Sequence, residues 1–257
     1  MAAQGERHSP MNFLSEVAKY LTSRSQWSGL DGIPNLLANQ VEISALAVAA
    51  ALITGVGVGV LLGHSRRGGF AVLNAANAAR AIPSFALITL LGIQPAIVRL
   101  PEGGLVATGI AMWALAVPPV LTNAYVGTRD VDADVRSAAI SIGMTSAQRF
   151  WKVELPLAMP LIMAGARTAA VEVVATATLG AYVGFNDLGS IIFSGLALHD
   201  NVETFSGAFT VALLALAVDG LMLLASRTLT PTGIRASTRR RRRRSLLARR
   251  HAPGLPG

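Results

Sequence analysis

The chain has 257 residues, of which 52% are hydrophobic and only 14% charged, and 22 Lys and Arg against 14 Asp and Glu leave a net charge of +8. A charged share this far under the roughly 25% of soluble domains argues against a water-soluble globule and for a chain embedded in lipid. Cysteine is absent, which excludes disulfides, thiolate catalysis and thiolate metal sites.

Met1 to Gln40 is polar and mixed in charge, without the basic start and apolar core of a signal peptide, so the first apolar run is expected to stay in the mature protein. Residues 1–38 are read as an extracytoplasmic segment with an interfacial helix. Crossing the hydrocarbon core takes roughly 20 apolar residues. Five stretches qualify: Ile43 to Gly63, Phe70 to Gly92, Gly104 to Val126, Leu157 to Tyr182 and Phe205 to Ser226. Leu188 to Leu198 is too short and reads as a re-entrant or interfacial piece; counting it as a crossing gives the competing total of six. The fold class expected is therefore all-α, a polytopic membrane helical bundle occupying 39–226, followed by an arginine-rich tail over 227–257.

Gly55, Gly57 and Gly59 suit close helix contacts in the first span. Pro83 in Ala81-Ile82-Pro83-Ser84, Pro118-Pro119, and Gly180, Gly184, Gly189 and Gly195 are expected to break regular helix. Unwound backbone at membrane depth is tolerated where it lines a cavity, and simple kinking is the other reading.

The third and fourth spans are joined by a loop whose pattern carries the most information. Val135, Ala138, Ala139 and Ile142 fall at i, i+3, i+4 and i+7 on one helical face. Asp130, Asp132 and Asp134 crowd the helix start, where the macrodipole favours negative charge. Gly143 suits the left-handed residue just past a helix end. Thr145 with Gln148 forms a capping box opening a second helix with Ala147, Phe150, Trp151 and Val153, which Pro156 is expected to stop by pushing Leu155 out of the helical region. A helix, glycine corner, helix unit with an apolar face must dock onto something.

Positive residues near spans are retained on the cytoplasmic side. One set of loops holds Arg66, Arg67, Arg129, Arg136, Arg149, Lys152 and ten arginines from Arg227 onward, whereas the opposite set holds only Arg7, Lys19, Arg24 and Arg99. The amino terminus is expected outside, the carboxyl terminus inside and the 137–156 loop in the cytoplasm. Asp187, Asp200 and Glu203 are then placed in an external loop. The run Arg239 to Arg244 has no interleaved aromatics, so it reads as a tail touching anionic lipid rather than a specific nucleic-acid binder.

Charged side chains inside spans face the bundle interior. Arg80, Arg167, Glu172 and Asp219 are the candidates, Arg80 or Arg167 pairing with Asp219, while Glu172 has no partner evident in sequence. Pro83 joins them as a path-lining candidate. His64 and His199 stand without a second ligand at metal spacing, so no metal site is expected.

Ser137-Ala138-Ala139, three residues, Gly143, nine residues, Val153-Glu154-Leu155-Pro156 resembles the Glu-Ala-Ala loop of the permease subunits of ATP-binding-cassette importers. Spacing agrees throughout, with Ser137 where the family has glutamate and Val153 where it has isoleucine. Ala81-Ile82-Pro83-Ser84-Phe85-Ala86-Leu87, Pro118-Pro119-Val120-Leu121-Thr122-Asn123-Ala124-Tyr125-Val126-Gly127, Gly143-Met144-Thr145, Lys152 to Ala158, Ala164-Gly165-Ala166-Arg167-Thr168-Ala169 and Ala175 to Leu179 resemble the osmoprotectant branch, which takes glycine betaine, choline, carnitine or proline.

The resemblance implies a type I permease subunit whose coupling residues are Ser137, Ala138, Ala139, Gly143, Val153, Leu155 and Pro156. It also implies its partners: a dimer of cytoplasmic ATPases, a second permease copy or paralogue, and an external substrate-binding protein. The chain lacks any Gly-x-x-x-x-Gly-Lys-Ser/Thr loop, so it is expected to be no enzyme and to hold no cofactor, ATP belonging to the partner. A permease for another small solute such as an amino acid, an ion-gradient-driven transporter using Glu172 and Asp219, and a scaffold recruiting proteins through 136–156 are the competing readings.

Overall fold

The computed structural model describes residues 10–66 and 68–229, all of its regular elements being helical. From residue 230 onward the expected basic tail, with Arg239 to Arg244, lies outside the described residues, as do residues 1–9 and Arg67.

Helix α1 (Pro10–Thr22) precedes α2 (Ile33–Ser65), which begins ten residues before the apolar run at Ile43 and carries one π turn at Leu52–Val56. Next come α3 (Gly69–Arg80) and α4 (Ser84–Gly92), α5 (Gly103–Arg129), α6 (Ala133–Ser141), α7 (Ser146–Val183), α8 (Gly189–Leu198) and α9 (Asn201–Leu229). Four helices are long and apolar enough to cross a membrane, and five if α3 and α4 count as one broken span.

Helix α5 is the central rod, packed along α2, α7 and the α3–α4 pair. Its contacts use small residues, the means by which helices approach closely where lipid supplies no hydrophobic drive. Ala111, Met112, Ala116 and Val120 meet Ile43, Ala47 and Ala51 of α2 and Ala169, Val173 and Ala177 of α7 in one core. Gly55 and Gly59, with Gly63, form the contact stripe on α2: a Cβ at Gly59 would lie 2.7 Å from the Leu121 carbonyl oxygen. Gly57 faces open space instead, being off that four-residue period.

Three expectations about prolines meet different outcomes. Pro83 does break its span, α3 and α4 being bent by 77° across it. Pro118 and Pro119 lie inside an uninterrupted α5. Pro156 does not end a helix: α7 runs from Ser146 through it to Val183, with a π turn at Phe150–Glu154. The wider turn is bridged by the Leu155 N–H donating to the Phe150 carbonyl, and it takes up the clash and the missing donor that a proline brings to a regular helix. At about 57 Å long, by 1.5 Å per residue, α7 outreaches a hydrocarbon core of about 30 Å, so its first turns stand clear of it.

Helix α8 has ten residues, too few to cross, and packs on α9. It follows a 3-10 stretch at Thr178–Val183 and the left-handed Gly184 (φ 84°). Gly189 is pressed on the Thr178 carbonyl, where any side chain would collide.

Candidate coupling surface and intramembrane polar path

The corner between α6 and α7 follows from local sequence chemistry. The Asp132 carboxylate accepts from the Asp134 N–H at 2.9 Å and caps α6. At the other end Met144 N–H donates to the Ala139 carbonyl and Gly143 N–H to that of Ile140, a Schellman closure with Gly143 at φ 80°. The Thr145 hydroxyl accepts from the Gln148 N–H, and the Gln148 side chain accepts from the Thr145 N–H, so the capping box starts α7.

This corner turns an apolar surface outward. Ser137 and Ala138 are exposed, as are Val135, Ile140, Ile142 (74%) and Trp151 (65%), whereas Ala139 is buried. The far end of the motif points the other way. Val153, Leu155 and Pro156 are half-buried, and Leu155 with Phe150 packs on Val60, Ala124, Ala158 and Ile162.

Glu154, between them, is the feature that sequence reasoning missed. Its side chain is wholly buried, and its carboxylate accepts from Arg136 Nη2 at 2.6 Å and Arg149 Nε at 3.0 Å and meets His64 Nδ1 at 2.5 Å. His64 Nε2 bonds the Ser146 hydroxyl at 2.8 Å, so the imidazole is held by both ring nitrogens rather than standing alone. A buried carboxylate is tolerable only with such pairing. This one fastens the end of α2, helix α6 and the start of α7 to one another. A signal was present: Glu154 is the only acidic residue between Asp134 and Glu172, and it lies among Arg136, Arg149 and Lys152.

Deeper in the bundle, Arg167 of α7 and Asp219 of α9 form a two-pronged pair, Nε to Oδ1 at 2.5 Å and Nη2 to Oδ2 at 2.6 Å. They line a cavity of about 620 Å³ together with Thr168 and Glu172. A second cavity of about 250 Å³ is lined by Arg80, Pro83, Ser84, Pro118, Glu172 and Thr176, among others. Glu172 therefore borders both. Arg80 does not share Asp219, both of whose carboxylate oxygens are taken by Arg167.

At the opposite end of α7 from the coupling corner, Gln40 Nε2 donates to the Val174 carbonyl at 2.9 Å and its oxygen accepts from the Leu188 N–H at 3.1 Å. Asn39 donates to the Asn186 carbonyl at 2.8 Å. Asp187, which the sequence placed in an external loop, is fully buried beside this latch. One of its carboxylate oxygens accepts from the Gly189 N–H at 2.7 Å, and the other has no partner among the described residues. Burial pushes its carboxyl up to about 7, against the pull of the Gly189 and Ser190 N–H groups.

The sequence family described as the binding-protein-dependent transport system inner membrane component matches residues 48–231. A choline transport system permease protein of Bacillus subtilis is 35% identical over 198 residues, 76% of this chain and 87% of that protein. A glycine betaine/carnitine/choline transport system permease protein of the same organism is 34% identical over 196 residues, covering 75% and 86%. Among solved structures, the MetNI methionine ABC transporter in an inward-facing conformation has the same fold, with a TM-score of 0.67 at 20% identity over 77% of this chain and 96% of that one.

Proposed function

The chain belongs to the binding-protein-dependent inner-membrane transport components, multi-pass permease subunits that are themselves non-catalytic, and from that premise we propose that it imports osmoprotectants. The solutes are of glycine betaine, choline or carnitine type, the class named for its relatives at about a third identity. The amino terminus lies outside and the α6–α7 corner in the cytoplasm, as the distribution of arginines requires.

In this reading the corner is the handle by which a dimer of cytoplasmic ATPases moves the bundle, and an external binding protein delivers the solute. The observation that carries it is the glycine-cornered helix pair: its apolar residues Val135, Ala138, Ile140 and Ile142 face outward while Glu154 fastens its back to the bundle. An exposed apolar patch on a braced element is what a docking partner needs. Closure of the ATPases draws the corners of two permease subunits together and opens the path alternately to each side. Arg80, Pro83, Arg167, Glu172 and Asp219 border that path.

Ser137 is exposed on the corner and offers no carboxylate to an ATPase. The second permease of the complex is accordingly a paralogue that keeps the glutamate. The test is reconstitution of the assembly with its ATPase and binding protein in vesicles. Uptake of glycine betaine or choline that requires ATP is expected; uptake driven by an ion gradient and indifferent to ATP would reject the reading. A purified complex with two copies of this chain as its only permease would reject the paralogue.

A further inference from the structure

Four charged side chains lie within the five apolar stretches: Arg80, Arg167, Glu172 and Asp219. Two of them neutralise each other through the two-pronged bridge between α7 and α9. The other two, Arg80 and Glu172, make no hydrogen bond or ion pair through their side chains among the described residues, and they line the same cavity of about 250 Å³. Charge at membrane depth is expensive unless it is paired or performs a function. Arg167 and Asp219 close on each other in this bundle, whereas Arg80 and Glu172 line one cavity without pairing with each other among the described residues.

The setting fits a ligand with two charges. Arg80 ends α3 at the 77° break, and unwound backbone at this depth is tolerated where it lines a cavity. Ser84 and Thr176 add hydroxyls, while Pro83, Leu115 and Pro118 supply apolar wall. The Thr176 hydroxyl donates to the backbone carbonyl of Glu172 at 2.6 Å, leaving the Glu172 carboxylate uncommitted. We propose that the space between Arg80 and Glu172 is a transit site for a compact zwitterion, whose carboxylate meets the guanidinium and whose ammonium or quaternary amine meets the carboxylate. The site rests on the importer reading above and narrows it: a solute bearing one charge leaves one of the two residues uncompensated, and a neutral solute leaves both.

The test uses the complete assembly in vesicles, with glycine betaine as the solute of two charges and choline as the solute of one. R80Q is expected to depress glycine betaine uptake about tenfold, the loss of one charge-assisted contact, while choline uptake stays within about twofold of wild type. E172Q is expected to depress both by about that factor, since both solutes carry the cation. Solute affinity of the isolated binding protein and co-purification of the ATPase should not change in either variant. Equal effects of R80Q on the two solutes, or none on either, would overturn the site, as would loss of the second permease from the E172Q complex, which would assign Glu172 to a subunit contact. Failure of the osmoprotectant reading leaves a different trace: wild-type vesicles would take up an amino acid instead, and the two variants would still depress that uptake. A wild-type assembly that carries choline but no zwitterion would end the site and leave the importer reading standing, and one that carries only a neutral solute would end both.

Discussion

Replacing Glu154 with alanine removes the shared counter-charge of Arg136 and Arg149, whose side chains are only 11% and 17% exposed. Breaking a buried ion pair on one side costs about 3–5 kcal/mol, and since these guanidinium groups keep some contact with water the lower end applies. About 3 kcal/mol corresponds to roughly a hundredfold increase in the open population of whatever the clamp holds, by the factor of ten per 1.4 kcal/mol. That element is α6, because α7 and the end of α2 keep their own packing on α5 while α6 is tied through Arg136. Glutamine keeps shape and one acceptor, so E154Q should lose about 1.5–3 kcal/mol, the worth of hydrogen bonds to a charged group. Amide exchange across 133–141 in the assembled complex measures this directly. E154A should speed it about a hundredfold, in line with that free energy, and raise the ATP consumed per solute imported. Unchanged exchange in α6, in a complex that still holds its ATPase, would refute the clamp.

Gly143→Asp puts a side chain at φ 80°, a conformation costing L-residues about 1–2 kcal/mol; the corner should re-form poorly, and ATPase co-purification with the permease should fall. Asp187 gives a pH dependence. Its carboxyl holds a proton up to about 7 in the fold and only to its ordinary value of 3.8 when unfolded. Between those values the folded state binds the extra proton, so stability falls as pH rises from about 4 to about 7, by about 4 kcal/mol in total, and then levels. Thermal melts of the solubilised permease should show this slope, and D187N, which keeps an oxygen for the Gly189 N–H, should flatten it; a wild-type midpoint independent of pH over that window would refute the assignment.

What was legible in the sequence is what short-range chemistry determines. The Asp132 cap, the left-handed Gly143 and the Thr145–Gln148 box depend on residues at most a few positions apart, so pattern alone places them. The pairing of Arg167 with Asp219 was readable because few charges share the apolar stretches. The Glu154 clamp was legible only in part: Arg149 stands five positions away, but His64 lies 90 positions away and no local rule connects it. Pro156 misled because the rule for proline assumes a regular α turn, and a π turn receives it. The burial of Asp187 went unread because it depends on Gln40, 148 positions before its bonding partner Leu188, closing over the connector from α2.

The continuity of α7 through Pro156 makes the α6–α7 corner, proposed above as the ATPase handle, and Glu172, proposed to meet the solute, parts of a single beam. Between Ser146 and Glu172 it measures about 39 Å at 1.5 Å per residue. If one extremity is tilted by about ten degrees, the other sweeps through about 7 Å over that length, as much as one and a third helical turns. The π turn at Phe150–Glu154 lies in between, so under the proposed function the gearing from the corner to Glu172 is set by this length and by the stiffness of that turn.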